Sequence, residues 1–187
     1  MNDVEAVKTR AEIENVERLL RKHYGDLYGD IWRIGVNMAL RISDMLAIEY
    51  AQIDFDRREY RTVEGKTGKT RIITLNAVAL ELIERRRQAH PDDIYLFQVH
   101  SNRTASLPPK PISRRNVGRA FQAVGEIVDV QIGTHSMRKS RGWAMHFDGV
   151  SLELIAKVLN HASTATTMRY IGLDKQNVSD TYTDYVL

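Results

Sequence analysis

"THSMRKSRGWAMHFDGVSLELIAKVLNHASTATTMRYIG", residues 134–172, decides how this chain is to be read. His135, Arg138, His161 and Tyr170 stand at the ends of its apolar stretches. The apolar spacing predicts a helix over 136–147, a second over 152–159 and a short third around 164–170. "NHAS" marks the turn before the last of them. Such a segment fits two chemistries: a helix-turn-helix that reads DNA, with Ser163 opening the recognition helix, or half of an active site that cuts it. The choice depends on whether matching basic residues occur upstream.

Working outward, 187 residues with 43% hydrophobic content suffice for one domain with its own core. The chain has no cysteine, which excludes disulfides, thiolate metal sites and cysteine nucleophiles. Its first twenty residues lack an apolar core, so no signal peptide is expected. No run approaches the ~18 apolar residues of a membrane span, so no membrane partner is expected either. The net charge is only +3, but most cations fall in the middle of the chain. They include Arg57, Arg58, Arg61, Lys66, Lys69, Arg71, Lys110, Arg114, Arg115, Arg119, Lys139 and Arg141. Such an excess points to a polyanion. Arg85, Arg86 and Arg87 read instead as a solvated helix face.

The first half alternates helix and strand signals. Thr9 and Glu12 form a capping box ahead of a stripe of Ile13, Val16, Leu19 and Leu20. Gly25 and Gly29 punctuate the chain before a second helix over 31–40, and Ser43 is placed to cap a third through Ile48. Short β-type runs follow at 53–55, 60–63 and 71–75, separated by the turn-like "DRRE" and "EGKTGK". Asn76 caps the next helix, and "IYLF" at 94–97 reads as a short extended piece. A proline-bearing loop over 101–113 leads to a helix opened by Ser113. Trp32 and Trp143 read as core, and His23, His90, His100 and His146 as structural or exposed. The fold class is α+β, mainly α, with a small three-stranded antiparallel sheet at one edge.

Four stretches in order carry a resemblance. "MALRISDML" places Arg41 at a helix junction, "GKTGKTR" puts Lys66 at a hairpin tip, Thr134 to Arg138 reads T-H-x-x-R, and "LNHASTATTMRY" contains His161 and Tyr170. Taken singly, each residue has a plain structural explanation, such as a helix-end ion pair for Arg41 or a packing aromatic for Tyr170. Together, in this order and spacing, they resemble the catalytic domain of the tyrosine recombinases, the phage-integrase family. Ala39 and Asn160 stand where that family usually has glycine, and Asp44 where it commonly has glutamate. Asparagine tolerates the left-handed backbone, so the turn before His161 is expected to survive.

The resemblance implies that Tyr170 attacks a DNA phosphodiester, giving a 3′-phosphotyrosine and a free 5′-hydroxyl. Arg41 and Arg138 would clamp the non-bridging oxygens, His135 would take or relay the phenolic proton, Lys66 would protonate the leaving oxygen, and His161 would donate to the phosphate. Asp44 would support the site from behind it. Lys69, Arg71, Arg114, Arg115, Lys139 and Arg141 are candidate DNA contacts. Bond energy is kept in the phosphotyrosine, so neither metal, ATP nor other cofactor is expected, and no P-loop occurs. Residues 1–174 would form the catalytic domain, 175–187 a tail packing on a neighbouring protomer, and the family's N-terminal clamp domain would lie outside this chain. Expected partners are double-stranded DNA, further copies of the chain in a synaptic tetramer, and accessory DNA-bending proteins. The expected setting is the cytoplasmic nucleoid of a prokaryote or its phage. Two alternatives stay open here: a non-catalytic helix-turn-helix regulator, and strand relaxation like that of a type IB topoisomerase.

Overall fold

The computed structural model describes residues 4–63, 70–100 and 107–173. Its first helix, α1 (Arg10–Tyr24), begins at the anticipated capping box: Glu12 N donates to Thr9 Oγ1 at 3.2 Å and Thr9 N to Glu12 Oε2 at 3.0 Å. The apolar stripe Ile13, Val16, Leu19 and Leu20 is buried against α2 (Asp26–Met38). Here Trp32 is fully buried, donates Nε1 to the Ile13 carbonyl at 3.0 Å, and meets Phe121 edge-on at 5.3 Å. Such an aromatic pair adds about 0.5–1.5 kcal/mol beyond its buried area. Gly29 does not punctuate the chain as the sequence suggested. It lies inside α2, where a Cβ would fall 2.3 Å from Arg21 Cγ.

Two boundaries near the site differ from expectation. The second helix stops at Met38 because Ala39 turns left-handed (φ 52°, ψ 31°). The reversal leaves only Leu40 and Arg41 before α3 (Ile42–Leu46), so Arg41 is the N-cap and Ser43 lies inside the helix, which ends before Ile48. A 3-10 turn (Tyr50–Gln52) then leads into β1 (Ile53–Asp54), β2 (Glu59–Val63) and β3 (Thr70–Thr74), an antiparallel sheet in the order β1-β2-β3 with Tyr60 opposite Ile73. The hairpin tip carrying Lys66 and Lys69 lies outside the described residues.

The next helix, α4 (Ala77–Ala89), is capped by Asn76, whose Oδ1 accepts from Ala79 N at 3.0 Å. Of its arginines, Arg85 and Arg87 are exposed, as a solvated face requires, but Arg86 is not. Arg86 is 9% exposed and donates Nη1 to Asp30 Oδ2 at 3.1 Å and Nε to the Leu96 carbonyl at 2.9 Å, while Arg87 lies over Phe55 at 4.9 Å. The physical reason sits on α2: Asp30 is 1% exposed and needs countercharge, which Arg21 and Arg85 also supply. "IYLF" is not a strand either. Tyr95 makes one bridge to Glu49, and Leu96 and Phe97 drop into the core.

The remaining helices are α5 (Arg114–Val128), α6 (Ser136–Phe147), α7 (Leu152–Val158) and α8 (Thr164–Ile171). Ser113, Ser151 and Ser163 each cap the helix that follows them. Trp143 is half-buried rather than core, with Lys8 Nζ 4.5 Å above its ring. The main core joins α1, α2, α4, α5 and the sheet, and a second cluster gathers Ala39, Ile155, Leu159 and Ile171. Two close approaches fix α6 between them. A Cβ on Gly35 would fall 2.2 Å from Met137 Sδ, and one on Gly142 would fall 2.7 Å from Ile171 Cγ2. The helix that carries Arg138 is thereby held against both α2 and α8.

Candidate active site

Arg138 is 3% exposed, an expensive place for a permanent charge unless its donors are used. Nη1 donates to the Ala39 carbonyl at 2.6 Å. That carbonyl is aimed there by the left-handed turn ending α2, so an alanine in a conformation ordinarily left to glycine serves the site. The guanidinium also faces the Tyr170 phenol closely enough to oppose the rise in its pKa. Arg41, at the start of α3, is half-buried, with Nη1 4.0 Å from Asp44 Oδ2.

His135 is the residue immediately before α6, at the helix N-terminus. Its Nδ1 lies 3.3 Å from Tyr170 Oη. The phenol can therefore donate to a neutral His135 while the Arg138 charge favours its ionised form. On the other side, the His161 ring meets Tyr170 edge-on at 4.8 Å. Asn160, just before it, takes the left-handed backbone at φ 46°, as its residue type anticipates. His161 Nδ1 lies 3.1 Å from Thr167 Oγ1. Lys139 Nζ sits 5.5 Å from the Tyr170 ring centroid.

Burial raises the Tyr170 pKa above its ordinary value, opposed by Arg138 and Arg41. Partial withdrawal from water lowers that of His135, helped by Arg114, Arg138, Lys139 and Arg41. The same two causes, burial and then the charges of Arg138 and Arg41, bring His161 down to about 4. At neutral pH the centre holds two fixed cations, two neutral imidazoles and a protonated phenol. That combination attracts a phosphate and offers a base to the phenol.

A groove of about 1330 Å³ opens beside the phenol. Its walls include Arg114, Arg115, Arg119, Lys139 and Arg169, together with His135 and Tyr170. Arg41, Arg138 and His161 are not among its lining residues. Arg141 lies away from it on α6. Arg71 is half-buried and bonds the Val158 carbonyl, tying β3 to the end of α7. The sequence counted Arg119 among the cations pointing to a polyanion but not among the DNA contacts, and it did not point to Arg169 at all. The spacing of Arg115 and Arg119, four apart on α5, was the available signal; Arg169 offered none beyond adjacency to Tyr170.

Among the described residues, His90, Asp93 and His100 place possible metal-ligand atoms within 4.8 Å of one another. The two imidazoles stack at 4.3 Å with planes 19° apart. Their in-plane lone pairs therefore run side by side rather than meeting at one point. Asp93 is occupied by His100 at 3.0 Å and Gln98 at 2.8 Å. We read this group as a polar staple at the end of α4.

Comparison with known proteins agrees with this geometry. The chain is 31% identical over 185 residues to the probable integrase/recombinase YoeC of Bacillus subtilis (strain 168), covering 97% of each protein. It is 28% identical over 158 residues to tyrosine recombinase XerC of Shewanella amazonensis, covering 81% of this chain but only 51% of that one. Apart from YoeC, then, it spans about half the length of curated relatives such as this XerC. The fold matches a crystal structure of XerA recombinase with a TM-score of 0.72 at 16% identity, across 98% of this chain and 65% of that one. It also matches a lambda integrase dimer bound to a COC′ core site, with a TM-score of 0.68 at 15% identity, across 91% and 49%. No helix among the described residues is long and apolar enough to cross a membrane. The Phage integrase family model matches residues 28–177, and the chain belongs to that family.

Proposed function

We propose that this chain is the catalytic unit of a site-specific DNA recombinase, residues 1–174, with Tyr170 as its nucleophile. One observation carries the reading: residues from positions 41, 135, 138 and 161 are gathered around a single phenol at 170. Tyr170 Oη attacks the phosphorus as its proton passes to His135 Nδ1. The new bond is O–P to the 3′-phosphate, and the bond broken is P–O5′, leaving a free 5′-hydroxyl. Arg41 and Arg138 offset the charge gathering on the non-bridging oxygens, and His161 donates to one of them. Lys66, outside the described residues, protonates the departing oxygen. Asp44 steadies Arg41. Attack by another strand's 5′-hydroxyl reverses these steps and rejoins DNA.

Arg114, Arg115 and Lys139, joined by Arg119 and Arg169, take the duplex backbone in the groove. Lys69 and Arg141 are kept as lesser candidates, and Arg71 as a residue that holds the hairpin to α7. Strand exchange requires two duplexes, so we place the working form in a synaptic tetramer on nucleoid DNA. Residues 175–187, outside the described residues, would bridge its protomers, and DNA-bending proteins would assist. A pool of nicked suicide duplexes with randomised cores, incubated in EDTA, tests the chemistry. Wild type should form a covalent adduct and Tyr170→Phe none. Adduct from both proteins, or only with Mg²⁺, defeats the mechanism. Binding without adduct supports the helix-turn-helix regulator, and relaxation of a supercoiled plasmid supports the topoisomerase-like activity.

A further inference from the structure

Thr167 has no role in the steps above, yet it is fully buried, one turn before Tyr170 on α8. A buried threonine in a helix usually spends its hydroxyl on the carbonyl four residues back. That acceptor is present: Thr167 Oγ1 is 3.3 Å from the Ser163 carbonyl. The same oxygen lies closer, at 3.1 Å, to His161 Nδ1. One hydroxyl proton faces two acceptors, and which of them receives it decides the state of the imidazole. If it goes to Ser163, then Nδ1 must carry the imidazole proton to bond Oγ1, and Nε2 is a bare lone pair. If it goes to Nδ1, the imidazole proton resides on Nε2.

The two states are opposites toward a phosphate. Non-bridging oxygens only accept hydrogen bonds, so a bare Nε2 repels them and an Nε2–H attracts them. Protonating both nitrogens is no ready escape. With the pKa of His161 at about 4, only about one molecule in a thousand carries the imidazolium at pH 7. Two features favour donation to the ring. The Ser163 carbonyl already accepts the Thr167 backbone N–H at 3.2 Å, so it is satisfied without the hydroxyl. Burial of the branched side chain within the helix also restricts its rotation, which keeps Oγ1 beside the imidazole.

We propose that the Thr167 hydroxyl donates to His161 Nδ1, holding this histidine as its Nε2–H tautomer and so turning a neutral ring into a phosphate-directed donor. Thr167 is thus a positioning residue acting through His161. The inference rests on the reading of His161 as a phosphate ligand, but its core, the tautomer, is measurable without DNA.

The experiment is long-range ¹H–¹⁵N correlation spectroscopy of the full chain labelled at histidine nitrogens, at pH 7.5, with His161 assigned by His161→Gln. Wild type and Thr167→Ser should show a protonated Nε2 and a bare Nδ1. Thr167→Val, which keeps the shape and removes the hydroxyl, should move the proton toward Nδ1 or leave a mixture. Single-turnover cleavage of a duplex selected from the suicide pool should slow about tenfold in Thr167→Val, the scale of one neutral hydrogen bond, with DNA affinity unchanged. Thr167→Ser should restore most of that loss. A wild-type Nδ1–H tautomer overturns the proposal even if the valine variant fails to fold, and so does a valine variant with wild-type tautomer and rate. If no protein forms adduct while the tautomers behave as stated, the cleavage reading fails and the Thr167–His161 coupling stands.

Discussion

Removing the buried Asp30 carboxylate should cost several times what an exposed ion pair is worth. Its oxygens are 1% exposed and accept from Arg21 Nη2 at 2.7 Å, from Arg86 Nη1 at 3.1 Å and from Arg85 Nη2. Truncating one partner of a buried pair typically costs about 3–5 kcal/mol, because the charges left behind keep their desolvation penalty and lose their compensation. In Asp30→Ala that penalty falls most heavily on Arg86, at 9% exposure, and least on Arg85, whose side chain is 53% exposed and can turn to water. Arg21 keeps Glu17 and Asp26 as partners. We therefore expect a loss of about 3–4 kcal/mol for Asp30→Ala and about 2–3 for Arg86→Ala, which also gives up the Leu96 carbonyl bond. Arg85→Ala should lose under about 1 kcal/mol. Urea denaturation followed by tryptophan fluorescence reads all three, with Trp32 as the reporter on α2. The cluster joins α4 to α2, and α2 ends at the carbonyl that holds Arg138. A cost under about 1 kcal/mol for Asp30→Ala, or a larger cost for Arg85→Ala than for Arg86→Ala, would refute the reasoning.

Arg138→Lys should lower the cleavage rate by about 10²–10³ with little change in DNA affinity, because a compact ammonium lacks the planar fork that lets one guanidinium hold the Ala39 carbonyl and still present paired donors to a phosphate; single-turnover kinetics would show it. Arg119→Ala should reduce the magnitude of the slope of log binding constant against log salt by about 1, and an unchanged slope would remove this residue from the DNA path. The folded pKa of His161, about 4, lies below its unfolded value of about 6.5, so the folded state binds fewer protons between them. Stability should fall as pH drops from about 6.5 toward 4, by at most about 3 kcal/mol and by about 1–2 after solvent screening of the half-buried ring; His161→Gln should flatten that fall in urea titrations at each pH. Cleavage itself should rise through a pKa below 6.5, that of His135, and stay level above neutrality.

Residues with local signatures were legible in the sequence. Thr9, Asn76, Ser113 and Ser163 announced their helices because a cap is satisfied within three residues of itself. The three β-type runs gave the sheet, and the motif order assembled the residues now found around Tyr170. Features that depend on distant partners were not legible. Arg86 looks like any helix-surface arginine until α2 brings Asp30 beside it, 56 positions away. Trp143 reads as core by its size alone, but the cover over its outer face is a lysine from the N-terminal segment. Ser43 is a good capping residue displaced by the left-handed turn at Ala39, which no propensity anticipates for alanine. The Thr167 hydroxyl became visible only once α8 had placed it against His161.

The most direct measurement is the identity of the amino acid that holds DNA after cleavage. Trapped adduct would be digested with protease and nuclease, and the nucleotide-bearing peptide sequenced by mass spectrometry. The expected result is one peptide ending its backbone link at Tyr170, attached through a 3′-phosphate and absent from Tyr170→Phe. Attachment through a serine, through another tyrosine, or through a 5′-phosphate would contradict the central claim.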